Sequence, residues 1–156
     1  MLFDDIELFF EEVGKKSNLL GLDIGTKTIG LAISDFNHIV ATPFYTIKRK
    51  KFTHDLEKLI KIIEDNDIKG LVIGLPLMLD GEEGAKCQSV RQFGRNTLKE
   101  YDIPIIFWDE RFSTVSAEET LIKANMSRQD RSELVDKVAA SVILQNLLDS
   151  YSNINK

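Results

Sequence analysis

LGLDIGTKTIGLAISD, running from Leu20 to Asp35, holds two short apolar runs on either side of a glycine-led turn. Leu19 to Ile24 is the first run, closed by Gly25, and Ile29 to Ser34 is the second after a four-residue turn. Short β-prone runs separated by turn residues predict a β-hairpin. Asp23 stands inside the first of these strands. An unpaired charge taken out of water costs several kcal/mol, so such a carboxylate is paired, protonated or bound to metal. A carboxylate capping the amides of the Gly25-Thr26 turn accounts for Asp23 equally well at this point.

Downstream, Ile39 to Ile47 is β-rich and predicts a third antiparallel strand, with Pro43 marking an edge position or a bulge. Phe52, Leu56, Leu59, Ile60 and Ile63 then recur at helical spacing. Gly70 to Leu75 is a fully apolar strand, Pro76 to Gly84 a loop, Ala85 to Tyr101 a helix and Ile105 to Trp108 another strand. Two helices close the chain, one beginning near Thr114 or Ser116 and one from about Arg131 to Ser150. The order βββαβαβαα predicts an α/β fold with a mixed five-stranded sheet, a three-stranded meander followed by parallel strands on helical crossovers. Upstream, Leu2, Phe3, Ile6, Phe9, Phe10 and Val13 follow one helical stripe, and Gly14 to Ser17 reads as a linker. Residues 1–17 are thus expected to form an amino-terminal helical extension capping the domain, and residues 18–150 the domain itself.

With 156 residues, 43% of them hydrophobic and 29% charged, the chain has the composition of one globular domain. No apolar run is long enough to span a bilayer, and the acidic start lacks the pattern of a signal peptide. The single cysteine, Cys87, can form neither an internal disulfide nor a thiolate cluster, so the expected compartment is the cytoplasm. The net charge of -5 sits awkwardly with a polyanionic partner, unless the bases gather on one face.

Two further acidic positions join Asp23. Asp109 and Glu110 directly follow the strand Ile105 to Trp108, where α/β sheets place their chemistry, although with Arg111 they also read as a surface salt-bridge cluster. Asp136 falls on the helical stripe of Ala140, Ile143 and Leu147, and the small pair Ala139-Ala140 lets that helix press on the sheet. The helix dipole explains an Asp in the first turns but not its place on the apolar face. Brought together, these carboxylates repel: two like charges about 4 Å apart cost roughly 4 kcal/mol at an effective dielectric of 20. Hard oxygen donors without His or Cys suit Mg²⁺ or Mn²⁺ rather than zinc, and two such ions can hold both the attacking water and the leaving oxygen of a phosphodiester.

The residues now on the page resemble the YqgF family, also called RuvX-like, of the RNase H-like superfamily. The match spans about Leu20 to Leu148, through LGLDIGTKTIGLAISD, LVIGLPLMLDGEEG (Leu71 to Gly84), DERFSTVSA (Asp109 to Ala117) and VDKVAASVIL (Val135 to Leu144). The resemblance implies the RNase H-like fold and a metal-dependent endonuclease, acting either at the 5′ end of the small-subunit ribosomal RNA precursor or on Holliday junctions. It carries the catalytic and metal-binding acids onto Asp23, onto the Asp109-Glu110 pair with Glu110 favoured, and onto Asp136. In one departure from the related RuvC-type resolvases, the strand Gly70 to Leu75 ends in Gly-Leu-Pro without a glutamate, so the metal site must be completed differently. The helix Leu2 to Val13 is extra to the family's usual start.

Around the acids, Thr26, Lys27 and Thr28 form a turn whose amides and side chains can hold a phosphate, although a plain hairpin turn competes equally. Arg111, Lys86, Arg91, Arg95, Arg128 and Arg131 are candidates for a substrate-binding rim. The run Lys48-Arg49-Lys50-Lys51 reads rather as a solvated loop. Two other readings compete with the nuclease. Asp-Ile-Gly-Thr after a strand also opens the phosphate loop of actin- and hexokinase-type ATPases, but the chain has no room for their second domain. A non-catalytic nucleic-acid-binding factor on the same fold is the other. The expected partner is nucleic acid, bound by a monomer or homodimer.

Overall fold

A computed structural model describes residues 1–78, 80–110 and 128–154, with side chains in the last helix from residue 134 onward. Along the chain lie β1 (Leu2–Phe3), α1 (Ile6–Val13), β2 (Asn18–Ile24), β3 (Thr28–Ser34), β4 (Ala41–Lys48), α2 (Phe52–Asp65), β5 (Ile68–Leu75), α3 (Ala85–Glu100), β6 (Ile105–Asp109) and α4 (Arg128–Ile154). The described strands form one mixed sheet in the order β1-β6-β5-β2-β3-β4. β2, β3 and β4 make the expected antiparallel meander, while β5 pairs parallel with both β2 and β6. Pro43 satisfies both of its constraints, since β4 is the edge strand and its register with β3 shifts between Leu31 and Ala32, opposite Tyr45 and Pro43.

The sheet has one strand more than the five expected. Leu2 and Phe3 are not the first turn of a helix but an edge strand, paired parallel with Ile105 and Ile106. The reason is local: the Asp5 carboxylate accepts from the Leu8 N–H at 3.0 Å and caps the helix there. The residues before the cap are extended, and the Met1 carbonyl accepts from the Ile105 N–H at 2.9 Å. The helix expected to begin near Thr114 or Ser116 lies outside the described residues, and the last helix is longer at both ends than 131–150.

Two apolar layers enclose the sheet. Alternate strand residues such as Leu20, Leu22, Ile73 and Phe107 meet Leu56, Leu59 and Ile63 of α2 and Val90 and Phe93 of α3 on one face. On the other, Leu19, Ala32, Val72 and Ile106 meet Phe9 and Phe10 of α1 and Ala140, Ile143, Leu144 and Leu147 of α4. α1 is therefore built into the second layer.

Candidate active site

The face of the sheet beneath α4 is cut low by glycines. A Cβ on Gly21 of β2 would stand 2.9 Å from the Leu144 Cβ and 3.0 Å from the Ala140 carbonyl oxygen. One on Gly30 of β3 would overlap the Asp136 carbonyl oxygen at 2.0 Å. The helix therefore lies directly on strand backbone, which brings Asp136, four residues before Ala140, down to the strand ends. Asp23 follows Gly21 by two residues and so points to this same face.

On β6, Ile106 belongs to the α4 layer whereas Ile105 and Phe107 belong to the α2 and α3 layer. By this alternation Glu110 shares the side of Asp23, and Asp109 the opposite side. The Glu110 backbone N–H donates to the Leu75 carbonyl at 3.1 Å, anchoring that residue where β6 ends. The Glu110 side chain passes over Gly74 of β5, where an added Cβ would stand 2.5 Å from Oε2 and 2.6 Å from Ile143 Cδ1. Beyond Gly74 it is hydrogen-bonded to Asp23. The strand that lacks a glutamate thus supplies the space that a glutamate from the next strand occupies.

Two carboxyl groups can share a hydrogen bond only when one keeps its proton. Burial, then the Asp23 charge and the hydrogen bond with Asp23, push Glu110 up to about 9, partly opposed by Lys86. Burial also raises Asp23; the bond from Glu110 pulls it back, while the charge of Asp136 pushes it further up. Asp136 accepts a hydrogen bond from the Thr28 hydroxyl. Among the described residues no three of His, Cys, Asp and Glu are grouped closely enough to hold an ion as they stand. The set is an Asp23–Glu110 pair, with Asp136 nearby and turned to Thr28. These groups still fit a divalent cation, because all are hard oxygens and positive charge relieves the burial and crowding that raise Glu110.

The other expected residues divide. Thr26 and Lys27 are exposed on the turn between β2 and β3, and Thr28 opens β3. Lys86, in the first turn of α3, acts electrostatically on both Asp23 and Glu110. Arg91 is engaged elsewhere: it donates to Glu83 from Nε at 2.7 Å and Nη2 at 3.0 Å, and lies over the Phe107 ring. Arg95 is exposed, bonded to Gln92, and about 13 Å beyond Lys86 along the helix axis. Arg111 and the side chains of Arg128 and Arg131 lie outside the described residues. Cys87 is buried with its thiol pushed up, chiefly by burial, so no thiolate nucleophile is at hand.

Sequence reasoning missed two features of the site. The role of Gly74 is signalled only as a glycine in a strand. Arg49 sat in a run of four cations read as solvated, yet it donates to the Gly25 carbonyl at 2.6 Å.

Solved structures of Holliday-junction nucleases share this architecture. Thermus thermophilus RuvC in complex with Holliday junction substrate superposes with a TM-score of 0.55 over 87% of this chain and 96% of that one, at 13% identity. Fowlpox virus resolvase, solved with Holliday junction DNA, gives 0.55 over 86% and 98%, at 10% identity. The fold is therefore that of the RNase H-like nucleases. The family model described as "RuvX: Holliday junction resolvase" matches residues 17–150. A Ruegeria sp. (strain TM1040) protein named "Putative pre-16S rRNA nuclease" is 51% identical over 154 residues, 99% of this chain and 98% of its own. A Zymomonas mobilis protein of the same name is 50% identical, covering 96% and 91%. The chain belongs to the RuvX family, a family of phosphodiester-hydrolysing nucleases. The ATPase reading falls with that assignment.

Proposed function

We propose that the chain is a Mg²⁺- or Mn²⁺-dependent endonuclease acting on the precursor of 16S ribosomal RNA, with Asp23, Glu110 and Asp136 as its metal-binding acids. The observation that carries this reading is the convergence of Asp23 and Glu110 beneath α4, two half-buried carboxyl groups from different strands, with Glu110 laid over Gly74 and held up by burial and the Asp23 charge. A bound divalent ion supplies the charge that orients a water and the scissile phosphate. Asp23 and Glu110 are the inner donors and Asp136 approaches from α4. Asp109, on the opposite face of the strand end, orients the segment that carries Glu110. Thr26, Lys27 and Thr28 offer amides, an ammonium and hydroxyls to a phosphate at the turn, and Lys86 adds a second cation at the rim.

Ribosomal RNA precursor is preferred as substrate because relatives about half identical across nearly the whole chain bear that name. A four-way DNA junction is the second reading, favoured by the family description and by the solved structures. Since all three acids come from one chain, a monomer suffices for chemistry, and a homodimer is required only if two strands are cut together. No described helix is long and apolar enough to cross a membrane. The protein acts in the cytoplasm, with residues 18–150 as the nuclease domain and 1–17 as an extension docked on it. The test is cleavage of labelled precursor RNA and a labelled four-way junction side by side, in Mn²⁺ and in EDTA. Faster metal-dependent cutting of the RNA supports the reading; cutting of the junction alone replaces it with the second; cutting in EDTA refutes the metal.

A further inference from the structure

Arg49 lies one residue beyond β4, with its side chain turned toward the turn between β2 and β3. Nη1 donates to the Gly25 carbonyl at 2.6 Å, and the Arg49 backbone N–H donates to the Lys27 carbonyl at 2.9 Å. One residue thus fastens both ends of the turn that leaves β2 just after Asp23 and enters β3 at Thr28. Thr28 closes the loop from the far side: its carbonyl accepts from the Gly25 N–H at 2.8 Å, and its hydroxyl donates to Asp136. With Thr26 and Lys27 exposed, side-chain packing does little to hold this turn.

Behind Arg49 stands Asp55 of α2, fully buried. Its Oδ2 is 3.7 Å from Arg49 Nε, and its Oδ1 accepts from the Lys50 N–H at 2.9 Å and lies 3.2 Å from His54 Nδ1. The guanidinium also lies over the Phe93 ring, 5.9 Å from its centroid. The contact with Asp55 is an ion pair rather than a hydrogen bond, and a buried carboxylate on one side with an aromatic ring beneath orients the guanidinium so that its remaining N–H groups face outward. That direction is the Gly25 carbonyl.

We propose that Arg49, anchored by Asp55, is a positioning residue that sets the turn 25–28, and through it the mutual placement of Asp23 and of Asp136 by way of Thr28. This deepens the nuclease reading and rests on it. A small misplacement of a catalytic group can cost up to about a hundredfold in rate, so the effect should appear in kcat.

Arg49→Ala, Arg49→Lys, Asp55→Asn and the Ala/Asn double variant test it through steady-state cleavage at several salt concentrations and amide hydrogen exchange over residues 24–30. Arg49→Ala and Asp55→Asn should each lower kcat roughly tenfold or more with KM and salt slope unchanged, and should speed exchange of the Gly25 amide. Lysine should restore part of kcat. The double variant should be no worse than Arg49→Ala, as for two residues acting as a unit. A raised KM with the salt slope reduced by about 0.7 to 0.9 would make Arg49 a phosphate contact instead and overturn the proposal. Lower melting temperatures with unchanged exchange and kcat would make the pair a packing feature only, and would overturn it too. If the nuclease reading itself fails, wild type cuts neither substrate, and the exchange measurements still decide whether Arg49 holds the turn.

Discussion

Glu110 carries the electrostatics of the site, and its raised pKa links folding to pH. In the metal-free protein the folded state holds the Glu110 proton up to about 9, whereas an unfolded glutamate releases it near 4.5. The stability from this group is fully present below 4.5 and is lost as pH rises toward 9, because the unfolded chain gives up its proton first. Denaturant unfolding in EDTA should show wild type losing on the order of a few kcal/mol across that window, and Glu110→Gln losing much less. A flat wild-type profile would mean that Glu110 does not share a proton with Asp23. Asp23, Glu110 and Asp136 were legible in the sequence as candidates because each is an acid in an apolar or strand-end context, which is costly without a reason. Between Asp109 and Glu110 the family resemblance favoured Glu110, and the parity of β6 puts that residue on the side of Asp23. Arg49 was not legible, because its partners are a carbonyl 24 residues back and a buried acid whose burial only the fold creates.

Among the elements, the close seat of α4 on the sheet decides whether three acids meet. Gly30→Ala would place a Cβ 2.0 Å from the Asp136 carbonyl oxygen, so the helix has to lift or the strand has to bend. Overpacking of this kind typically costs about 1 to 3 kcal/mol, and the thermal midpoint should fall together with cleavage. Gly74→Ala should separate the two effects. Its Cβ would meet the ends of two side chains, Glu110 Oε2 at 2.5 Å and Ile143 Cδ1 at 2.6 Å, and side-chain ends can swing away more cheaply than a helix backbone can lift. The melting temperature should change less than in Gly30→Ala, while kcat falls about tenfold or more. Equal losses of stability in the two variants would argue that Glu110 has no freedom to move. The hairpin, β5, α3 and β6 were readable because periodicity and turn residues agree. β1 was not: Leu2 and Phe3 fit a helical stripe, and only the Asp5 cap and pairing with β6 show them extended.

For the whole molecule the governing tension is between a net charge of -5 and a polyanionic substrate. Affinity must then come from a few local cations, each a countable part of the salt dependence, and Lys27→Ala should weaken binding and reduce the slope of log affinity against log salt by about 0.7 to 0.9. An unchanged slope would leave Lys27 out of the interface. The sequence announced the acids of the site more clearly than its cations, because a carboxylate in a strand is an anomaly and a surface lysine is not. The central claim is that Asp23 belongs to a metal site, and melting temperature in EDTA and in Mn²⁺, with cleavage read alongside for wild type and Asp23→Asn, tests it most directly. In EDTA the variant should be at least as stable as wild type, since the cost of burying the Asp23 charge and its repulsion with Asp136 are gone. Mn²⁺ should raise the wild-type midpoint by mass action, worth about 2.7 kcal/mol at 100 times the dissociation constant, and the variant's far less, with cleavage at background and substrate binding kept. Equal metal-induced shifts in both proteins, with cleavage retained by Asp23→Asn, would contradict the account.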